Sequence, residues 1–267
     1  MRLLLKLKRT GDNRLTMNYN YLLSSAIYNL LKFGSPEFSA FLHDIGYEAN
    51  NKNYKLFSFA LRLEEFTIDN DIFILNSTNA NLYISTPLVE TFIRNFIIGT
   101  FETQKLELTG SDSKTVFSVE QVESLPEPQF KEVMKFKLLS PLVLSTKKEI
   151  NNKLKQYYLR PGDGEKINEV LSNNLKNKYK LIFNHDIDCD EVTLKWDMDY
   201  LKRHDRITKK VTINENGKYP IDIIGIMAPF ILEGNPELIK IGYECGFGEK
   251  NSMGFGLADT NYTNSTN

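Results

Sequence analysis

Three histidines, His43, His185 and His204, are the side chains in this sequence best suited to moving protons near neutral pH. One of them has company. His43 lies in SPEFSAFLHDIGY, Tyr28 precedes it by one helical segment in AIYNLL, and Lys55 follows in YKLFSF. An imidazole, a phenol and an ammonium together could form an acid–base and charge-stabilising group that needs no metal. On a helix from Ser35 to Asp44, the residues Phe38, Phe41, Leu42 and Ile45 gather on one face, and His43 falls beside Ser39 and faces out. It also occupies the last helical turn, where the macrodipole favours the imidazolium. Tyr28 shares a polar stripe with Tyr21, Ser24, Ser25 and Lys32, away from the Leu/Ile face of its own helix. An ordinary exposed histidine fits the same pattern, so residue types alone leave both readings open.

A second candidate is GYECGFGEKNSMGFGLAD, in which Gly246, Gly248, Gly254 and Gly256 surround Glu249, Lys250, Asn251 and Ser252. Glu249 separates Gly248 from Lys250, so the mononucleotide phosphate loop fails, and Asn251 stands where a dinucleotide fingerprint needs glycine. What remains is Gly-Phe-Gly at each end of a charged, polar centre. An open backbone of this kind could receive a phosphodiester chain through its N–H groups, with Lys250 adding charge; a tight glycine hairpin with a packing role is the alternative. HDIDCDE (residues 185–191) holds metal-ligand types. The calcium-loop spacing puts Glu191 where glycine is needed, and zinc would find only His185 and Cys189, so an acidic turn and no metal site are expected. His204 sits in the basic run LKRHDRITKK, and Cys245 is expected to pack.

The elements that must position these residues follow from periodicity. RLLLKLKR reads as an opening strand, Asn18 to Phe33 as a helix, and Ser35-Pro36-Glu37 as the capped start of a second helix ending at Gly46. KLFSFALRLEEFTI (residues 55–68) alternates as one long strand, followed by strands in DIFILNS and NLYISTP, a helix over 87–102, and a hairpin from KLELTG and KTVFSVEQVESL. This β-α-β-β-α-β order is the ferredoxin-like unit. After a Pro126/Pro128 linker the pattern restarts: a strand in VMKFKLLSPLVL, a helix near Ile167 to Lys178, strands in EVTLKWDMD and KKVTINENGKYPIDIIGI, and a short helix in NPELIKIGYE. The expectation is an α+β chain of two tandem ferredoxin-like domains, over residues 1–125 and 126–260, with a polar, disordered tail at 261–267.

The bulk composition sets limits. The 267 residues carry a formal net charge of -1, which announces no polyanion binder. The distribution says more: 12 Lys/Arg against 5 Asp/Glu between Lys131 and Lys180, and 3 against 7 between Pro36 and Asp71. A basic surface on a balanced molecule is compatible with nucleic acid, and equally with a solvated lysine-rich face. Two cysteines and no apolar run of membrane-spanning length point to a reducing, cytoplasmic setting.

GYECGFGEKNSMGFGL resembles the C-terminal glycine-rich signature of the CRISPR repeat-cleaving endoribonucleases of the RAMP superfamily. YNYLLSSAIYNLLKFGSPEFSAFLHDIGY, YKLFSFALRL, SPLVL and GNPELIKIGY are similar to the same family, in the right order and over nearly the whole chain. The resemblance implies two ferredoxin-like (RRM-like) domains, no cofactor, and metal-independent cleavage of CRISPR precursor transcripts within each repeat. In that reaction a 2′-hydroxyl attacks the adjacent phosphate and leaves a 5′-hydroxyl and a 2′,3′-cyclic phosphate. It also implies catalytic roles for His43, Tyr28 and Lys55. Gly246, Gly248, Lys250, Asn251, Ser252, Gly254 and Gly256 would lie against the RNA, and Lys147, Lys148, Lys153, Lys155, Arg203, Arg206, Lys209 and Lys210 could follow the repeat strand. Some relatives lack the histidine and bind repeat RNA without cutting, so delivery of RNA to an effector complex is the alternative role; a homodimer is allowed.

Overall fold

The computed structural model describes residues 1–110, 114–150, 153–213 and 219–260; the expected disordered tail at 261–267 lies outside them. The first strand, β1 (Arg2–Arg9), is followed by the short β2 (Arg14–Thr16) and by helix α1 (Asn20–Gly34). Helix α2 (Pro36–Ala40) starts where the capping residues require: the Ser35 hydroxyl accepts the Phe38 N–H at 3.1 Å, with proline at the first helical position. The next turn, Phe41–Ile45, is wider than an α-helix, because the Gly46 N–H reaches back five residues to the Phe41 carbonyl at 2.7 Å. That widening corrects one expectation. Leu42 is buried and Phe41 half-buried as anticipated, but Ile45 is rotated off the apolar face and is 60% exposed.

The chain then forms a small hairpin, β3 (Tyr47–Ala49) with β4 (Lys52–Tyr54), before β5 (Ser58–Leu63). The anticipated strand over 55–68 is therefore shorter. Leu56 reverses the chain ahead of it at φ 54°, and Glu64 and Glu65 turn it afterwards into β6 (Phe66–Asp69), which pairs with β7 (Ile72–Leu75) in a separate sheet. Then come β8 (Asn79–Ser85), helix α3 (Arg94–Thr103), β9 (Lys105–Thr109) and β10 (Lys114–Leu125). The main sheet runs β5-β8-β1-β10-β9 with every pairing antiparallel. Apart from the added edge strand β9, this is the ferredoxin-like order, with the first strand between the third and the last. Its core is continuous from Leu3 and Leu5 through Leu23, Ile27, Leu30 and Phe57 to Phe96.

The second half repeats the plan. It comprises β11 (Val133–Leu138), the hairpin β12 (Ser145–Ile150) and β13 (Lys153–Tyr158), and helix α4 (Gly164–Phe183). Next are β14 (Thr193–Trp196), α5 (Met198–Arg203), a second hairpin β15 (Thr208–Ile213) and β16 (Ile221–Ile226), β17 (Phe230–Glu233), α6 (Pro236–Cys245) and β18 (Ala258–Asp259). The sheet order β14-β17-β11-β18 again places the first strand between the third and the last. Residues 209–226, read as one strand, hold two paired strands. Strand β17 and the β12–β13 hairpin were not anticipated.

The two halves are stitched together at several places. The buried Arg2 guanidinium lies 3.6 Å from the Tyr243 ring centroid and donates to the Tyr243 carbonyl at 2.9 Å. On the opposite side, Ala49, Tyr54 and Leu56 belong to the core of the second half, and Asn177 on α4 donates to the Tyr54 hydroxyl at 3.0 Å.

Candidate active site

Helix α1 carries a ladder of polar side chains at successive fourth positions, each meeting the glycine-rich segment. Asn20 donates to the Met253 carbonyl at 2.8 Å, Ser24 donates to the Ser252 carbonyl at 2.8 Å, and the Tyr28 phenol lies beside the Ser252 side chain. The 3.6-residue period brings all three onto one stripe. Burial pushes the Tyr28 phenol well above its ordinary value, and the Ser252 side chain beside it opposes the rise only in part. The ring is set edge-on to Phe57, with centroids 5.8 Å apart, and edge-on to His43, with centroids 5.1 Å apart at 87°.

His43 faces solvent, its side chain 65% exposed, as the helical spacing anticipated. Its Nδ1 is 2.7 Å from an Asp44 carboxylate oxygen. An ionised carboxylate only accepts, so Nδ1 carries the proton and Nε2, which no described residue bonds, is left as the reactive nitrogen.

Lys55 does not open a strand as expected; it lies in the link between β4 and β5. Its stem passes over Gly46, where an added Cβ would be 2.8 Å from Lys55 Cδ and 2.7 Å from the Tyr54 carbonyl, at a backbone φ of 70°. Only glycine leaves that space. The Lys55 ammonium then donates to the His43 carbonyl at 2.8 Å, closing the end of the wide turn with a positive charge. Desolvation holds its pKa below the usual lysine value, with the nearby Asp44 charge acting the other way. The next residue, Leu56, is held in the left-handed region, and its carbonyl accepts the Thr86 hydroxyl at 2.8 Å. Tyr28, His43 and Lys55 are thus brought together at one surface, Lys55 through the backbone of His43.

The glycine segment divides into two parts. Gly246, Gly248, Gly254 and Gly256 are buried; Lys250 is exposed, and Asn251, Ser252 and Met253 are half-buried. The expectation of an open backbone needs narrowing, because protein groups take the N–H donors of both arms and leave those from Lys250 to Ser252. Phe247 donates to the Gly256 carbonyl, Glu249 to Val143, Gly254 to Asn251 and Gly256 to Pro141, all within 2.8–2.9 Å. Close approach does explain the glycines, but what approaches is the protein itself: a Cβ on Gly246 would be 2.8 Å from Ser58 Cβ, and one on Gly254 would be 2.6 Å from the Phe59 ring. The crest from Lys250 to Met253, exposed at Lys250 and half-buried beyond it, carries Ser252 beside Tyr28.

Sequence reasoning missed the group that holds this loop. The Lys178 ammonium, 1% exposed on α4, donates to the Gly246 carbonyl at 2.7 Å, the Gly248 carbonyl at 2.9 Å and Asn251 Oδ1 at 2.8 Å. One signal was available: with Leu171 and Leu175, Lys178 falls on the apolar stripe of its helix, where a lysine needs a partner.

Lys147, Lys148, Lys153 and Lys155 are exposed on the β12–β13 hairpin, and Arg203, Arg206, Lys209 and Lys210 are exposed on and before β15. Strands β13 and β16 are neighbours, so the two basic hairpins are contiguous. The first continues the Leu142–Leu144 stretch that backs Gly248. Among the described residues, no three His, Cys, Asp or Glu side chains, those of HDIDCDE included, are placed so that they could hold a metal ion together, and no helix is long and apolar enough to cross a membrane.

Known proteins match this arrangement along its whole length. The family described as "CRISPR-associated protein Cas6, N-terminal" matches residues 14–123, and "CRISPR associated protein Cas6, C-terminal" matches residues 125–260. The chain is 34% identical, over 260 residues, to a CRISPR-associated endoribonuclease Cas6 of Methanocaldococcus jannaschii, with 96% of this chain and 91% of that one covered. It is 26% identical to a CRISPR-associated endoribonuclease Cas6 of Pyrococcus furiosus, covering 96% and 89%. A solved structure of a CRISPR associated protein Cas6 superposes with a TM-score of 0.72 at 32% identity, covering 98% of this chain and 99% of the other.

Proposed function

This chain belongs to the Cas6 family of CRISPR-associated endoribonucleases, and from that premise we propose that it cuts CRISPR precursor transcripts within the repeat by metal-independent attack of a 2′-hydroxyl. The observation that carries the reading is the juxtaposition of Tyr28 and His43, with ring centroids 5.1 Å apart beside the loop crest. In this scheme His43 Nε2 takes the 2′-hydroxyl proton, O2′ forms its bond to phosphorus, and the bond to O5′ breaks. Burial keeps the Tyr28 phenol protonated, so it serves as a donor and not as the base, and it supplies the proton that the departing 5′-oxygen must gain. Lys55 uses one of its three N–H groups on the His43 carbonyl and stabilises phosphorane charge with its field. The products are a 5′-hydroxyl and a 2′,3′-cyclic phosphate.

Residues 1–125 then form the cutting domain, and residues 126–260 the domain that holds the strand. Lys250, Asn251 and Ser252 meet the RNA beside the scissile phosphate, the buried glycines shape the crest, and the basic hairpins follow the backbone. Delivery of the product to an effector complex, self-association, and a cytoplasmic site suited to the two free cysteines belong to the same reading.

The test mixes labelled repeat RNA with the protein in EDTA and reads binding and cleavage together. Cleavage at one position in the repeat is expected. Tight binding of intact RNA would overturn the nuclease reading in favour of a non-cutting carrier, and equal affinity for arbitrary RNA at matched salt would overturn the repeat as substrate.

A further inference from the structure

A lysine with almost no exposure needs a reason to be there, because removing its charge from water is costly unless every donor is met. Lys178 has three N–H groups and three acceptors: the carbonyls of Gly246 and Gly248, and Asn251 Oδ1. The Asn251 amide uses its own N–H groups to bridge the carbonyls of Phe247 at 3.2 Å and Phe255 at 3.0 Å. Both arms of the glycine segment therefore converge on one ammonium. The crest they carry presents the Ser252 carbonyl to Ser24 and the Ser252 side chain to Tyr28. A connected path runs from helix α4 of the second half, through the loop, to a catalytic group of the first.

We propose that Lys178 is a positioning residue for cleavage: its ammonium gathers the two arms of the glycine segment and so fixes the crest, and with it Tyr28, in the cutting geometry. The inference rests on the nuclease reading for its effect on rate, and on geometry alone for its effect on the loop.

The surroundings make the clamp sensitive to pH. Cys245 and Glu249 are the titratable groups that act on Lys178. Burial pushes the Cys245 thiol up to about 12, so it stays uncharged near neutrality. Glu249 is engaged elsewhere, accepting the Ser145 hydroxyl at 2.6 Å and lying 3.6 Å from Lys52 Nζ. Desolvation therefore prevails and pushes Lys178 down to about 8. Above that pH the neutral amine has two N–H groups for three acceptors, and one arm loses its partner. Global stability does not fall over the same interval. The unfolded lysine keeps its proton up to about pH 10.4, so it is the unfolded state that binds more protons there and stability rises with pH. The change expected above about pH 8 is a rearrangement of hydrogen bonds inside the closed loop, not an opening that exposes Lys178.

The experiment measures wild type, Lys178→Met and Asn251→Ala three ways: single-turnover cleavage across pH, affinity for repeat RNA with a 2′-deoxy scissile nucleotide, and amide exchange of the Gly246–Gly256 peptide. Lys178→Met is expected to cut about ten- to a hundred-fold more slowly, the range for a misplaced catalytic group. Affinity should stay within about threefold, a shift of well under one tenfold step in Kd. Exchange should speed up in the loop peptide, and the fall in wild-type rate as pH rises through about 8 should be absent from the variant. Wild-type cleavage rates, or unchanged loop exchange, in a folded Lys178→Met would overturn the inference. If Lys178→Met does not fold, Asn251→Ala, which removes one acceptor and both bridges, decides on loop exchange alone, because its affinity also reports the RNA contact assigned to Asn251. A wild-type chain that binds but never cuts overturns the nuclease reading instead, and loop exchange then still decides the role of Lys178.

Discussion

His43→Ala is expected to slow repeat cleavage by roughly a hundred- to ten-thousand-fold, the usual worth of a positioned proton-transfer group. The geometry separates this loss from any effect on folding or binding. The imidazole is 65% exposed, its ion pair is with the similarly exposed Asp44 and its ring meets Tyr28 edge-on, so its removal should leave stability within about 1.5 kcal/mol of wild type. The wide turn does not depend on the ring: Gly46 N–H to the Phe41 carbonyl and Lys55 Nζ to the His43 carbonyl are both backbone-directed contacts that alanine preserves. Single-turnover rates together with equilibrium binding of uncleavable RNA check the expectation. Unchanged cleavage would remove His43 from the mechanism, and a loss traced wholly to binding would make it an RNA contact.

The second large effect is structural. Gly256→Ala should destabilise the protein by about 2–5 kcal/mol, from the left-handed backbone and from overpacking. Gly256 has φ +74°, and an added Cβ would be 1.9 Å from the Phe247 carbonyl oxygen. Neither group can move cheaply, because the Phe247 N–H donates back to the Gly256 carbonyl at 2.8 Å and Asn251 bridges Phe247 to Phe255. Urea unfolding followed by circular dichroism measures the change as a shift in midpoint at constant slope. A midpoint within error of wild type would mean that the loop is not built around this contact. The same substitution in a binding-only loop would lower RNA affinity without lowering stability.

Much of the fold was legible because its signals are local. The Ser35-Pro36 start of α2, the Leu/Ile stripe of α1 and the alternation in NLYIS each follow from one period or one capping rule. The departures come from contacts that local patterns do not carry. Ile45 is exposed because the Phe41–Ile45 turn takes an extra residue, and the strand expected from Lys55 is cut short because Leu56 must turn the chain so that Lys55 can reach back over Gly46. At the site, Tyr28 and His43 could be placed on the outer faces of consecutive helices from spacing alone. Their partners could not: Ser24 and Ser252 lie far apart in sequence and in different halves, and Lys178 meets Gly246 and Gly248 only once the second half has folded. The glycine cluster was conspicuous, but sequence cannot say whether ligand or protein fills the space that glycine leaves. Here the fourfold absence of Cβ lets the chain's own carbonyls and rings close in.

In the proposed mechanism the nucleophile belongs to the RNA, and the group activating it is in the first half of the chain. The most direct measurement places one 2′-deoxynucleotide immediately 5′ of the mapped cut in an otherwise unmodified repeat and follows binding and cleavage in EDTA. Normal binding and no cut are expected there, with full cleavage when the deoxynucleotide is moved to other positions, and a 2′,3′-cyclic phosphate on the product of the unmodified repeat. Cleavage of the deoxy-substituted repeat at the wild-type rate would contradict this mechanism.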